Sequence, residues 1–225
     1  MPLTLAGYQF TGGANVEMYE FIDTHLFSLA ASANAANWTD ALAAYTAPLA
    51  QPDLSLADLT AINHVQPLAA ATLAYWGTPL FGDTLVRDAL AGNGSVPAAS
   101  GSVGNGSIAG WGAGSRAELA TKSTVYNVVR QYIFHRLRDG IDTCNAAGAG
   151  AVDDWEIAYA LHAGSLEGVD GEGAGQSLYA LADERCGQFT SCVSGVHNSN
   201  TAAEEAWKLG VSCRRMSDSF CELDE

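Results

Sequence analysis

Between residues 91 and 116 the chain reads AGNGSVPAASGSVGNGSIAGWGAGSR, and this stretch holds eight of its 24 glycines. Glycine loses more backbone freedom on ordering than any other residue, so no helix or strand interior tolerates such a density. The segment therefore reads as a linker or long loop, and the fold has to be built from what lies on either side, residues 1–90 and 117–225. On both sides Ala, Leu and Val recur at helical spacing, while the β-branched alternation of strands is nearly absent. The spacing predicts helices over 15–31, 37–47, 54–63, 84–91, 121–139, 153–164, 176–187 and 201–212. The expected fold is mainly α.

Composition supports a packed, solvated protein. With 48% apolar and 16% charged residues the chain can bury a real core and is too apolar to be disordered. Ten Lys and Arg stand against 25 Asp and Glu, a formal charge of -15, which excludes nonspecific binding to nucleic acid. No apolar run approaches the roughly 18 residues of a membrane span, and Met1-Pro2-Leu3-Thr4 lacks the basic and apolar regions of a secretory leader. An exported form would be the processed one. All five cysteines, Cys144, Cys186, Cys192, Cys213 and Cys221, lie in the second half without CxxC pairs or zinc-like spacing, so disulfides stabilising that half are expected. Two bridges and one leftover thiol leave the connectivity open, and the odd thiol suggests a partner beyond Glu225, hence a fragment. Sequons at Asn37, Asn93 and Asn105, beside only two lysines, fit a secreted eukaryotic protein.

Across the glycine-rich segment the two sides resemble each other. Tyr19-Glu-Phe-Ile22-Asp-Thr-His25-Leu26-Phe27 aligns with Tyr126-Asn-Val-Val129-Arg-Gln-Tyr132-Ile133-Phe134. Each is followed by a Trp-led helix: Trp38, Ala41 and Tyr45 match Trp155, Ala158 and His162 at 0, +3 and +7. Leu56-Ala57-Asp58 then matches Leu181-Ala182-Asp183. These matches describe a helical domain of two related halves joined by a Gly/Ser-rich loop.

The helix expected over 121–139 has an apolar arc through Val125, Val128, Val129, Tyr132 and Ile133, with Arg136 in the middle of it. Tyr132, Arg136 and Asp139, at i, i+4 and i+7, form a polar strip aimed at the core. A guanidinium there needs an anion, either Asp139 in an internal ion pair or a bound anion. If the halves face each other about a pseudo-twofold axis, His25 pairs with Tyr132 and Tyr45 with His162. Phenolates and imidazoles, with Asp139 as a possible further ligand and an anion held by Arg136, suit a hard ferric ion. Taken singly, each of these side chains more often serves ordinary core packing than metal binding. The acidic, glycine-rich Glu167–Gly175 stretch lacks calcium-loop spacing and reads as a solvated turn. His64 and His197 carry no partner pattern.

The stretch from Trp155 through Gly164-Ser-Leu-Glu167-Gly and Tyr179-Ala-Leu-Ala-Asp183 to Cys186, with Cys192 six residues on, resembles the algal iron-assimilation proteins of phytotransferrin type. That family includes high-carbon-dioxide-inducible cell-surface proteins. The likeness covers roughly 40 residues strongly and both halves loosely. It implies a non-enzymatic protein at the cell surface, secreted or in the periplasmic space. Such a protein captures Fe(III) with carbonate as synergistic anion and releases it on acidification, with an uptake receptor or membrane anchor outside this fragment. The family commonly has Tyr at the position of His162, a departure that weakens that one ligand. Two other readings stand beside it: a metal-dependent hydrolase or carbon-dioxide-handling enzyme with Glu156 as general base, and an adhesion or structural module of the cell surface.

Overall fold

A computed structural model describes residues 3–11, 16–49, 54–61, 68–96, 106–146, 150–190, 192–193, 196–197, 200 and 207. The fold is mainly helical, as its Ala- and Leu-rich periodicity predicts. Contacts group it into two compact units, one of Met1–Phe21 with Arg136–Glu225 and one of Ile22–His135.

The Ile22–His135 unit starts with α1 (Ile22–Asn34), which ends where Ala36 turns left-handed at φ 56°. Asn37 then caps α2 (Trp38–Thr46), its side-chain oxygen accepting from the Asp40 amide at 3.4 Å, the cap an Asn before an apolar run supplies. Leu26, Leu29 and Ala33 of α1 and Ala41 and Tyr45 of α2 are buried. Where a helix is expected over 54–63, the described residues 54–61 form a 3-10 turn, Ala57–Thr60. Next come α3 (Leu68–Trp76) and α4 (Phe81–Ala91), the latter closed by Gly92 in the left-handed conformation that favours glycine.

The glycine-rich segment does not divide the two units. Its ends pair as β3 (Ser95–Val96) and β4 (Gly106–Ser107), and the chain then enters α5 (Ala113–Ser123) within the same unit. Arg116 explains why: its Nε and Nη2 donate to the Ala89 and Leu90 carbonyls at 2.9 and 2.5 Å, at the C-terminal end of α4 where a cation is favoured. Its guanidinium also covers the Trp38 ring at 3.9 Å.

The single helix expected over 121–139 is interrupted by a π-helical turn, Thr124–Val129, before α6 (Arg130–Asn145). A β-carbon on Gly82 of α4 would sit 2.5 Å from the Asn127 carbonyl oxygen, so backbone meets backbone where the turn widens. The boundary between the units falls inside α6.

In the other unit β1 (Thr4–Leu5) and β2 (Tyr8–Gln9) form a hairpin around Ala6 and Gly7, both with positive φ. The loop amides of Ala6 and Gly7 donate to the Gly168 and Val169 carbonyls. α7 (Ala151–Ala163) runs into a 3-10 turn, Ser165–Glu167, and α8 (Leu178–Phe189) follows. A short pair, β5 (Cys192–Val193) with β6 (Val196–His197), comes after it. The helix expected over 201–212, together with His64, Asn105, Cys213 and Cys221, lies outside the described residues, apart from Trp207.

Candidate functional site

The most strongly charged surroundings of an expected ligand are those of Tyr45. α2 buries this ring fully, and its hydroxyl donates to Asp83 Oδ1 at 3.0 Å across the packing of α2 on α4. One turn along α4, Arg87 Nε donates to both oxygens of Asp83 at 2.9 and 3.0 Å, with its guanidinium 5.7 Å from the Tyr45 ring. Burial, and then the negative charge and hydrogen bond of Asp83, push the Tyr45 hydroxyl well above its ordinary pKa, while Arg87 opposes them. The Asp83 side chain is 17% exposed and that of Arg87 46%, so the group meets solvent on the arginine side. Asp58, the aspartate of the first Leu-Ala-Asp, adds a further negative influence on Tyr45 and otherwise accepts from the Ser55 amide and hydroxyl.

His25 and Tyr132 belong to the same unit, but their described surroundings differ from this group. Burial lowers the pKa of His25, a tendency opposed by its hydrogen bond to the Ala44 backbone. The buried Tyr132 ring lies 5.7 Å from that of His135.

His162, Arg136 and Asp139 belong to the other unit. The His162 ring is surrounded by Tyr159 at 6.1 Å, Tyr179 at 6.0 Å and Trp207, tilted 30°, at 5.3 Å. Its ring keeps some solvent exposure, yet Nε2 is buried without a hydrogen-bond partner. Burial lowers the His162 pKa to about 4, with the Asn200 side chain pulling the other way. The Asn200 amide nitrogen in turn donates to the Tyr179 carbonyl at 3.0 Å and to Asp183 at 2.9 Å. Imidazole here is a neutral, packed group.

Arg136 pairs with Asp154, 2.8 Å from Nη2, and lies 5.9 Å from the Tyr19 ring. A bound anion at Arg136 would have to compete with that carboxylate. Asp139, one turn further along α6, is half-buried. Among the described residues no three His, Cys, Asp or Glu side chains converge as a metal centre.

Two groups had no local sequence signal for their partners. Glu156, fully buried in α7, accepts from both the amide and the hydroxyl of Thr11, at 2.5 and 2.6 Å, across 145 residues of chain. It helps to raise the pKa of Tyr8, which burial raises first. Asp83 and Arg87 do carry a signal, the i, i+4 spacing of opposite charges on one helix, but nothing nearby in sequence ties it to Tyr45. In the Glu167–Gly175 stretch Glu167 turns inward and is buried, whereas Asp170 and Glu172 are exposed and Asp170 accepts from the Glu172 amide.

No family model, curated protein or solved structure matches the chain. Among the described residues no helix is long and apolar enough to cross a membrane.

Proposed function

We propose that this chain is a non-enzymatic, extracellular protein that captures ferric iron as cargo, together with a synergistic carbonate, for assimilation at the cell surface. The observation that carries the reading is the Tyr45–Asp83–Arg87 group. A phenol and a carboxylate are hard oxygen donors that match Fe(III), and an arginine beside them can turn from the carboxylate to an anion once the metal has taken the carboxylate's charge. Tyr45 gives up its proton only with a strong positive charge nearby, since Asp83 and burial both hold the proton on. Acid would therefore reverse capture by returning that proton and protonating carbonate. Of the ligands expected from the sequence, Tyr45 is the one whose surroundings favour metal chemistry. Those of His162 favour packing, and Arg136 already has a carboxylate partner.

Further support comes from several directions. Asn37 and Asn93 are exposed, as glycan acceptors must be. The five cysteines of the second half, read as disulfide-forming, suit an oxidising compartment. The enzyme reading loses ground because Glu156, its general base, is sealed against Thr11.

The test is a ferric titration with and without bicarbonate, following the visible charge-transfer band of iron-bound tyrosinate. A bicarbonate-dependent band that disappears in Tyr45→Phe is expected. A band that survives Tyr45→Phe and disappears in Tyr132→Phe would move the site to the ligand set read from sequence. Absence of any metal binding would leave the adhesion module.

A further inference from the structure

A groove of about 620 Å³ opens on the Ile22–His135 unit, along α5 and the π-helical turn that follows it. Trp111, Gly114, Glu118, Lys122, Tyr126 and Asn127 are among the residues that line it. Its walls carry two part-exposed aromatic residues: Trp111 is 39% exposed and Tyr126 37%. The backbone beneath both is anchored. The Trp111 amide donates to the Ile108 carbonyl at 3.0 Å, and Ile108 is fully buried against Phe81 and Leu85. Tyr126 and Asn127 ride on the π turn, a local widening that recurs at functional sites and is pinned here by Gly82. Aromatic rings, with only two side-chain torsions each, give contact area at little cost in conformational entropy.

Gly114 is one of the lining residues. It sits in the first turn of α5, where glycine disfavours a helix by about 1 kcal/mol relative to alanine. Its φ is not in the left-handed range, and an added β-carbon would meet nothing within 4 Å. A larger side chain at this position would project into the open space of the groove.

We propose that this groove binds a neutral saccharide. The axial C–H groups of a pyranose give it an apolar face that lies on an aromatic ring, while its hydroxyls need donors and acceptors at the rim. Asn127 offers both, and Glu118 and Lys122 contribute one charge of each sign, so the groove selects no ion. A chain of net charge -15 also repels anionic ligands. The open form suits a segment of a glycan rather than an enclosed small molecule. This inference is independent of the iron reading.

The experiment is isothermal titration of the full chain with cellotriose, chitotriose and maltotriose. Saturable binding of at least one is expected, weakened by about tenfold or more in Trp111→Ala and in Gly114→Leu. Gly114→Leu fills the groove from a helix position with free space, so it separates lost binding from lost folding. Gly187→Leu, on α8 and equally free of neighbours, is the control that leaves binding unchanged. No heat from any of the three sugars at about 20 mM overturns the proposal, as does binding that both groove variants leave intact. Binding of a proline-rich peptide in place of the sugars would also overturn it, in favour of a protein partner.

Discussion

Tyr45 and His162 stand at the same place in two Trp-led helices, seven residues after Trp38 and Trp155, and both turn inward. Their surroundings nevertheless differ in kind. Around Tyr45 the contacts are charged and reach solvent through Arg87; around His162 they are rings. Helical periodicity sets which way a side chain points, but the partner it meets comes from elsewhere in the chain. Asp83 and Arg87 arrive on α4, whereas Tyr179 and Trp207 follow α7 in sequence. The same sequence position thus becomes a candidate ligand in one unit and a packed, neutral base in the other.

The largest expected effect tests whether rings hold the His162 side together. Tyr159 is 1% exposed, lies 4.5 Å from the Tyr8 ring, and donates to the Ala6 carbonyl at 3.2 Å. Tyr159→Ala should cost about 3–5 kcal/mol of stability in urea denaturation, by cavity formation and the loss of that hydrogen bond. A cost below about 1 kcal/mol would show that the aromatic cluster is not what organises this unit.

A smaller effect reads the charge state. The ordinary histidine value is 6.5, and His162 is lowered to about 4, so the unfolded chain takes up a proton that the folded chain refuses. Its contribution to stability is complete above pH 6.5 and is lost as pH falls from there to about 4. The loss amounts to about 2–3 kcal/mol, and His162→Phe should remove that component of the acid dependence. Denaturation midpoints of both proteins at neutral pH and in mild acid check it. Parallel pH profiles would mean that His162 is as free to ionise as an exposed histidine.

How far the sequence foretold this follows the same line between local and distant. Helix positions were readable where apolar residues alternate with polar ones, as in α2, α4, α7 and α8. α3, LAAATLAYW, is apolar on every face and so carries no period in its sequence. The helix expected over 121–139 differs in its first turns because a π turn adds a residue that no periodicity announces. The described ends of the glycine-rich segment carry a short strand pair, and the segment lies within one unit rather than between the two. Arg116, beyond its far end, ties α5 back to α4. The inward direction of Tyr45, Tyr132 and His162 was legible from spacing. The partners of Arg136 and Tyr45 were not, since Asp154 and Asp83 are brought to them by the fold.

The smallest effect bears on Tyr45 itself. Tyr45→Phe keeps the ring and removes the hydroxyl, and Asp83 retains Arg87, so the variant should lose only about 1 kcal/mol at neutral pH. The sign of its alkaline dependence distinguishes a buried, proton-holding phenol from an ordinary one. Because the folded value lies well above the ordinary 10.0, the hydroxyl's contribution is fully present below pH 10.0. As pH rises past that point the unfolded chain releases a proton that the folded chain keeps. The difference between wild type and Tyr45→Phe should therefore narrow above pH 10.0 and then reverse. A difference that stays constant there would mean that Asp83 and burial do not hold the proton on Tyr45. The contrast with His162 would then fail at its charged end, and with it the reason for expecting a strong cation, rather than solvent, to displace that proton.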